Sequence, residues 1–317
     1  MNSPTTANDE ALLTIVIPVY NEASALPTLM TELKSVIAVQ GVNVVFVDDA
    51  STDGTPRLLE SIAGEKRVRV LRHKVNRGYG GALKTGLLHA RTRYAVTMDA
   101  DGQHRFEDVV AMLARMQASD ADLIIGQRAA AAAHSAYREV GKTVIRVLAR
   151  IMLGARVGDL NSGMKMYRTD LVQAYLPLCP DSMAFSDIVT LIFIGQKHLV
   201  LEQPIEIRHR MGGHSTITTR TAFETVMEIY SIIMLFNPLR IFLPVALFFI
   251  IFGVAWGLPL VLRGRGVSVG SMLSIMTGLI GLFLGLLAEQ LALIRRGHLA
   301  MHPRRFLADE ALAGTDK

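Results

Sequence analysis

Two long stretches near the carboxyl end carry almost no charge, and they limit what this chain can fold into more than any other feature. Residues 241–262 contain no Asp, Glu, Lys or Arg, and residues 267–294 contain one, Glu289. A helix of about 20 apolar residues spans a bilayer, and in hydrocarbon only a helix or a closed barrel satisfies its own backbone. A buried core helix is the alternative for one such run. Two adjacent runs of this length favour a membrane pair. The link Arg263-Gly264-Arg265-Gly266 allows only a tight turn, so the expectation is a hairpin over residues 239–296, with spans at about 241–262 and 270–294. An even number of spans puts both ends on one side. Arg240, Arg295, Arg296, Arg304 and Arg305 flank that side and outnumber the two arginines of the link. The bias predicts a multi-pass protein of the cell membrane with both ends, including a tail at 297–317, in the cytoplasm.

Upstream, residues 11–218 mix charged and apolar residues as a globular domain does. Residues 1–10 lack the basic start and apolar core of a signal peptide and read as a short disordered tail. Between domain and hairpin, Phe223, Val226, Met227, Tyr230, Ile233 and Met234 fall on one helical face. This predicts an interfacial helix over residues 219–238, with packing on the globular domain as the alternative. The net charge of +5 favours anionic contacts, for which nucleic acid, acidic lipid and phosphorylated substrates share the right sign. One cysteine, Cys179, rules out an intrachain disulfide and a Cys-based zinc site and reads as a buried, inert thiol.

Within the globular part, short β-rich runs alternate with helical segments. Strands are expected at 12–20, 42–47, 68–71, 94–98 and 123–126, with later ones at 164–167 and 199–207. Helices are expected at 25–39, 57–62, 80–90, 108–116 and 140–153. That alternation predicts a doubly wound α/β sheet, whose ligands bind at the carboxyl ends of the strands. Three strands end in polar clusters, Tyr20-Asn21-Glu22, Asp48-Asp49 and Asp99-Ala100-Asp101, which should meet at one rim.

Asp99 and Asp101 carry the clearest chemistry. Two carboxylates two residues apart, after a buried strand, can turn to one side where the strand breaks. They can then hold a hard divalent cation, with Gln103 as a further oxygen donor. A bare Asp-x-Asp is common in turns, so its place at a strand end matters. Asp48 and Asp49 could accept hydrogen bonds from a ribose or a base, or cap a helix together with Ser51 or Asp53. Asn76-Arg77-Gly78-Tyr79-Gly80-Gly81-Ala82-Leu83-Lys84-Thr85 superficially suggests a phosphate loop, but Leu83 stands where the glycine before the lysine belongs. Without a Gly-x-Gly-x-x-Gly, a dehydrogenase is disfavoured too. The loop is expected instead to let a helix start close to a nucleotide.

Taken together, Ile17-Pro18-Val19-Tyr20-Asn21-Glu22, Val47-Asp48-Asp49-Ala50-Ser51-Thr52-Asp53-Gly54-Thr55, Asn76-Arg77-Gly78 and Met98-Asp99-Ala100-Asp101-Gly102-Gln103-His104 resemble glycosyltransferase family 2. The resemblance implies an A-type glycosyltransferase domain, that is, a Rossmann-like nucleotide-diphospho-sugar transferase fold. Asp159-Leu160-Asn161-Ser162-Gly163-Met164-Lys165-Met166-Tyr167-Arg168 is similar to a segment of dolichol-phosphate mannosyltransferases and their bacterial polyprenyl-phosphate relatives, among which a paired carboxyl-terminal span is common. By that resemblance Pro18, Tyr20, Glu22, Val47 and Asp49 line the nucleoside site. Asp99, Ala100 and Asp101 hold the diphosphate and a Mg2+ or Mn2+ ion, with Gln103 completing the metal shell. Arg128 and Arg210 contact phosphate or sugar, and Arg138 with Lys142 receives the acceptor phosphate. Two positions depart from the pattern. Thr216, after Gly213-His214-Ser215, stands where a lysine is usual, so phosphate contact from that loop is expected only if His214 or Arg220 substitutes, and Met164 replaces a phenylalanine.

The acceptor can be argued from chemistry. Transfer to a sugar hydroxyl needs a general base within reach. The only Glu-Asp pair, Glu107-Asp108, directly follows the metal motif and reads as a helix cap. A lipid phosphate is already anionic and needs cations instead, which Arg128, Arg138, Lys142 and Arg210 would supply. Asp159 either orients them or is an ordinary loop carboxylate. The expected reaction is therefore inverting, metal-dependent transfer of one sugar, from GDP-mannose or a UDP-sugar, to undecaprenyl or dolichyl phosphate. The expected partners are nucleotide-sugar, lipid and membrane, with no nucleic acid. Alternatives are a different acceptor, or a non-catalytic lipid-binding relative, against which the intact Asp99, Asp101 and Glu22 speak. A processive synthase would carry Gln-x-x-Arg-Trp before its spans, whereas Trp256 lies inside one. The sugar and the oligomeric state, a homo-oligomer included, are left open.

Overall fold

The structure is a computed structural model of the 317-residue chain, and it describes residues 11–128, 158–160, 162–208 and 238–299. The amino-terminal tail, the carboxyl tail from 300 on, the helix expected at 140–153, all but the last residue of the expected interfacial helix, Arg138, Lys142, Arg210, His214, Thr216 and Arg220 lie outside the described residues.

The globular part runs β1 (Leu13–Val19), α1 (Leu26–Gln40), β2 (Asn43–Asp48), α2 (Thr55–Glu60), β3 (Val68–Arg72), α3 (Tyr79–His89), β4 (Tyr94–Thr97), α4 (Phe106–Ser119) and β5 (Leu123–Arg128), then β6 (Lys165–Arg168), α5 (Thr169–Tyr175), α6 (Phe185–Gly195) and β7 (Val200–Ile205). The seven strands form one sheet in the order β3-β2-β1-β4-β6-β5-β7. β1 is buried on both faces. Ile15 and Ile17 join Leu29 and Leu33 of α1 and Met112 and Met116 of α4 in one layer. Val16 joins Leu83 and Leu87 of α3 and Ile188 and Ile192 of α6 in the other. Burying each such side chain contributes about 1.5–3 kcal/mol, which is why an unbroken apolar run makes a central strand. Pro18 is tolerated in it because β4 pairs only as far as Val16, so the missing N–H falls beyond that ladder.

The sheet departs from the expected doubly wound pattern at β6. That strand runs antiparallel to both neighbours, Thr97 facing Lys165 and Tyr94 facing Arg168, while the other pairs are parallel. Gly163, just before β6, lies against Asp99 at the carboxyl rim. A chain entering the sheet from that rim can only run back down it. α5 and α6 are further elements that periodicity left unassigned, and α6 is buried on every side.

Residues 263–268 join two long helices, α7 (Leu239–Leu262) and α8 (Val269–Leu299), into a hairpin. At 1.5 Å per residue α7 is about 36 Å long, enough for a hydrocarbon layer of about 30 Å. The faces turned away from the partner helix are apolar, with Phe248, Ile251, Phe283 and Leu287 each more than 60% exposed. Helices at the core of a soluble protein bury such side chains.

Candidate active site

The ends of β1 and β2 are tied to each other by a set of loop hydrogen bonds. Asn21, at φ 55°, donates its N–H to Ser51 Oγ (3.0 Å) and accepts the Thr52 N–H on Oδ1 (2.8 Å). Glu22 N–H donates to Thr55 Oγ1 (3.0 Å) and Ala23 N–H to Asp53 Oδ2 (3.2 Å), while Asp53 Oδ1 accepts the Thr55 N–H (2.9 Å). Asp48 is buried and caps the turn by accepting the Ser51 N–H (2.9 Å), with Arg72 3.2 Å away. Tyr20 is about half exposed at this rim. Pro18 and Val47 sit side by side in the ladder, but Val47 is buried against Ala82 rather than turned to the rim.

Asp49 has a different task. Its Oδ1 accepts the Arg77 N–H (2.8 Å) and lies 2.6 Å from His73 Nδ1, and its Oδ2 accepts the Gly78 N–H (2.8 Å). The carboxylate thereby fixes the Asn76–Gly78 turn, in which Gly78 has φ 85°. The glycines that follow serve a neighbour in the fold. A Cβ on Gly80 would lie 2.5 Å from the Pro180 carbonyl oxygen, and Gly81 N–H donates to the Asp181 carbonyl (3.1 Å). Lys84 donates to Asp181 Oδ1 (2.7 Å) and the Cys179 carbonyl (2.9 Å). The segment therefore docks the 180–182 loop and starts α3. Cys179 is buried, which pushes its thiol up to about 12.

At the end of β4, Tyr79 donates its hydroxyl to Asp99 Oδ1 (2.8 Å). His104 Nε2 stands 3.6 Å from Asp99 Oδ2. A Cβ on Gly163 would sit 2.4 Å from that same oxygen. Burial works to raise the Asp99 carboxyl, but His104, Tyr79 and the nearby Arg128 outweigh it and hold the group below its ordinary value. Asp101 is buried and accepts the Gln103 N–H on Oδ1 (3.1 Å). Ala100 between them points into the core. The Gln103 carbonyl accepts the Arg208 N–H (2.9 Å), so the loop is braced from the far side of β7.

Arg128, the last residue of β5, makes a two-pronged pair with Asp159, Nε to Oδ2 at 2.7 Å and Nη2 to Oδ1 at 2.8 Å. This fork geometry fixes the guanidinium plane as well as its charge. Burial again opposes ionisation of Asp159, and Arg128 and Lys165 override it to hold the carboxyl low. Lys165 is fully buried beneath this pair, donating to the carbonyls of Leu160 (2.6 Å) and Ser186 and to Ser186 Oγ (2.9 Å).

The expected residues thus fall into three groups. Asp99, Asp101, Arg128 and Asp159 gather at one rim. Tyr20, Glu22 and Asp49 gather at the adjoining rim of β1 and β2. Pro18 and Val47 lie in the sheet and Ala100 in the turn after β4, all three with buried side chains. Tyr79, His73, Gly163 and Lys165 were not singled out from sequence, although all but His73 lie in segments whose pattern had drawn notice. As to a cation, no cluster of three or more His, Cys, Asp or Glu able to hold a metal occurs among the described residues. An all-oxygen set of two carboxylates and an amide does fit Mg2+ or Mn2+, which complete their shells with water and phosphate oxygens.

Comparison with known proteins agrees with this geometry. Residues 14–176, just over half of the chain, match the family model for Glycosyl transferase family 2, and residues 237–294 match that for the GtrB C-terminal hairpin. The chain is 30% identical over 226 residues to an undecaprenyl-phosphate mannosyltransferase of Micrococcus luteus, covering 68% of this chain and 90% of that protein. It is 27% identical over 231 residues to a dolichyl-phosphate β-glucosyltransferase of Saccharomyces cerevisiae, covering 65% of this chain and 69% of that one. Among solved structures, glucosyl-3-phosphoglycerate synthase from Mycobacterium tuberculosis with Mn2+, uridine diphosphate and phosphoglyceric acid superposes with a TM-score of 0.56 at 16% identity, over 70% of this chain and 78% of that one. At that identity the likeness concerns the fold. With the family match, the relatives and the rim in agreement, the chain belongs to glycosyl transferase family 2 and is a glycosyltransferase.

Proposed function

We propose that this chain transfers one sugar from a nucleotide-sugar, GDP-mannose or a UDP-sugar, to a polyprenyl phosphate at the cytoplasmic face of a membrane, with inversion at the anomeric carbon. The relatives named above act on undecaprenyl and dolichyl phosphates, and the apolar hairpin suits an enzyme whose acceptor lives in a bilayer. The carrying observation is the rim where Asp99 and Asp101 stand beside the Arg128–Asp159 fork.

When bound by Asp99, Asp101 and Gln103, Mg2+ or Mn2+ supplies the positive charge that neutralises a departing diphosphate. Tyr20, Glu22 and the Asp49-braced loop form the nucleoside end of the site. Asp159 orients Arg128, which presents a fixed cation to phosphate groups at the rim. A phosphate oxygen of the acceptor forms the new bond to the anomeric carbon. The bond from that carbon to the diphosphate breaks, and its electron pair leaves with the diphosphate.

No proton needs to be removed in this step, which matches the carboxylates on hand. Both oxygens of Asp159 are committed to Arg128, and its carboxyl is held low, so it is a poor base for a sugar hydroxyl. Glu107 pairs with Arg105, and Asp108 accepts the Glu206 N–H. Arg138, Lys142 and Arg210 are assigned to acceptor and donor phosphates on the strength of the family resemblance.

The Asp101→Ala variant tests the metal assignment. Transfer to undecaprenyl phosphate in the presence of Mn2+ is expected to fall by at least about 100-fold, within the range known for removing a group that stabilises developing charge. The variant should still insert into membranes and melt like the wild type. Full turnover by this variant would overturn the assignment.

A further inference from the structure

We infer that Tyr79 is a positioning residue for metal and diphosphate binding, acting through Asp99, whose carboxylate it holds in a single orientation. This rests on the metal reading proposed above. Three observations support it.

The first is the contact itself. The phenol oxygen lies 2.8 Å from Asp99 Oδ1 and donates to it.

Secondly, Asp99 is closed in from the other side. The Cα of Gly163 faces Oδ2 so closely that a Cβ would approach to 2.4 Å. With Tyr79 on one oxygen and this wall behind the other, the carboxylate is hemmed in on both sides. A ligand held in its binding orientation before the ion arrives loses no freedom on binding.

Thirdly, the hydroxyl is delivered by a rigid support. The Tyr79 ring packs against the core layer of α3, α5 and α6. The residue before it, Gly78, is gripped by Asp49 Oδ2 (2.8 Å), and Gly81 by the Asp181 carbonyl (3.1 Å). The loop that Asp49 anchors at the nucleoside end of the rim is thus the same loop that sets Asp99 at the diphosphate end. Outer groups that orient a metal ligand typically change metal affinity by about 10–100-fold when removed.

The test is Mn2+ binding to the full-length protein in detergent, followed by loss of the free-ion electron paramagnetic resonance signal. Tyr79→Phe, which removes one oxygen and keeps the ring, is expected to weaken Mn2+ binding about tenfold or more. Its melting temperature without metal should match the wild type. In the transfer assay, half-saturation should shift to higher Mn2+ with an unchanged KM for the lipid. Equal Mn2+ affinity in wild type and variant would overturn the inference and leave the metal reading intact. A wild type that binds no Mn2+ would overturn the metal reading and this inference with it. Weakened binding accompanied by an equally lowered metal-free melting temperature would show a structural role instead, and would also overturn it.

Discussion

At the scale of single residues, Asp99 shows how much surrounding structure one carboxylate needs. It is held by a hydroxyl on one oxygen, faced by an imidazole on the other, and backed by a glycine. Gly163→Ala would place a Cβ 2.4 Å from Asp99 Oδ2, so the carboxylate would have to shift from its present position. Transfer is expected to drop at least about tenfold, as for loss of an orienting contact, while the circular dichroism spectrum stays that of the wild type. A variant with wild-type turnover would mean that the orientation of Asp99 is unimportant. Asp99, Asp101 and Asp49 were legible in sequence because carboxylates after buried strands stand out. Their use was only partly legible. Asp49 turns out to brace a loop, and Tyr79 reaches Asp99 through a turn at Gly78 that is set by Asp49, a residue distant in sequence.

At the scale of elements, Lys165 joins the start of β6 to α6 and to the loop carrying Asp159. Burial lowers its ammonium from 10.5 to about 7, against the pull of Asp187 and Asp159. The sign of the consequence follows from proton counting. An unfolded lysine keeps its proton up to about pH 10.5, whereas the folded one gives it up above about 7. Between those values the unfolded chain binds more protons, so stability rises with pH across that window. The melting temperature of the wild type should therefore rise from pH 7 to 9 relative to that of Lys165→Met, which has no proton to lose. A constant difference between the two would contradict this. β1, β2 and β4 were readable because strands buried on both faces are unbroken apolar runs, and α7 and α8 because two adjacent charge-poor runs of that length stand out. The direction of β6 was not readable, since the four residues of a short strand look the same run either way. α6 escaped because a short, mostly apolar run cannot be told from a buried strand by periodicity alone.

At the scale of the whole molecule, a sheet with its charged groups gathered at one rim is joined to a hairpin whose outward faces are apolar. Each half explains the other if the acceptor is a lipid phosphate. On the proposed reading, the hairpin would keep the enzyme on the surface where the lipid is, and the rim would offer cations and a diphosphate clamp in place of a strong base. The most direct test supplies purified protein in undecaprenyl-phosphate vesicles with Mn2+ and a panel of radiolabelled nucleotide-sugars, then follows where the label goes. Label from at least one donor is expected on the lipid, as a single sugar whose bond survives mild base, and none when the phosphate lipid is left out. Label on a sugar hydroxyl or growing as a polymer, or none from any donor with an enzyme shown to be folded, would contradict the proposed reaction.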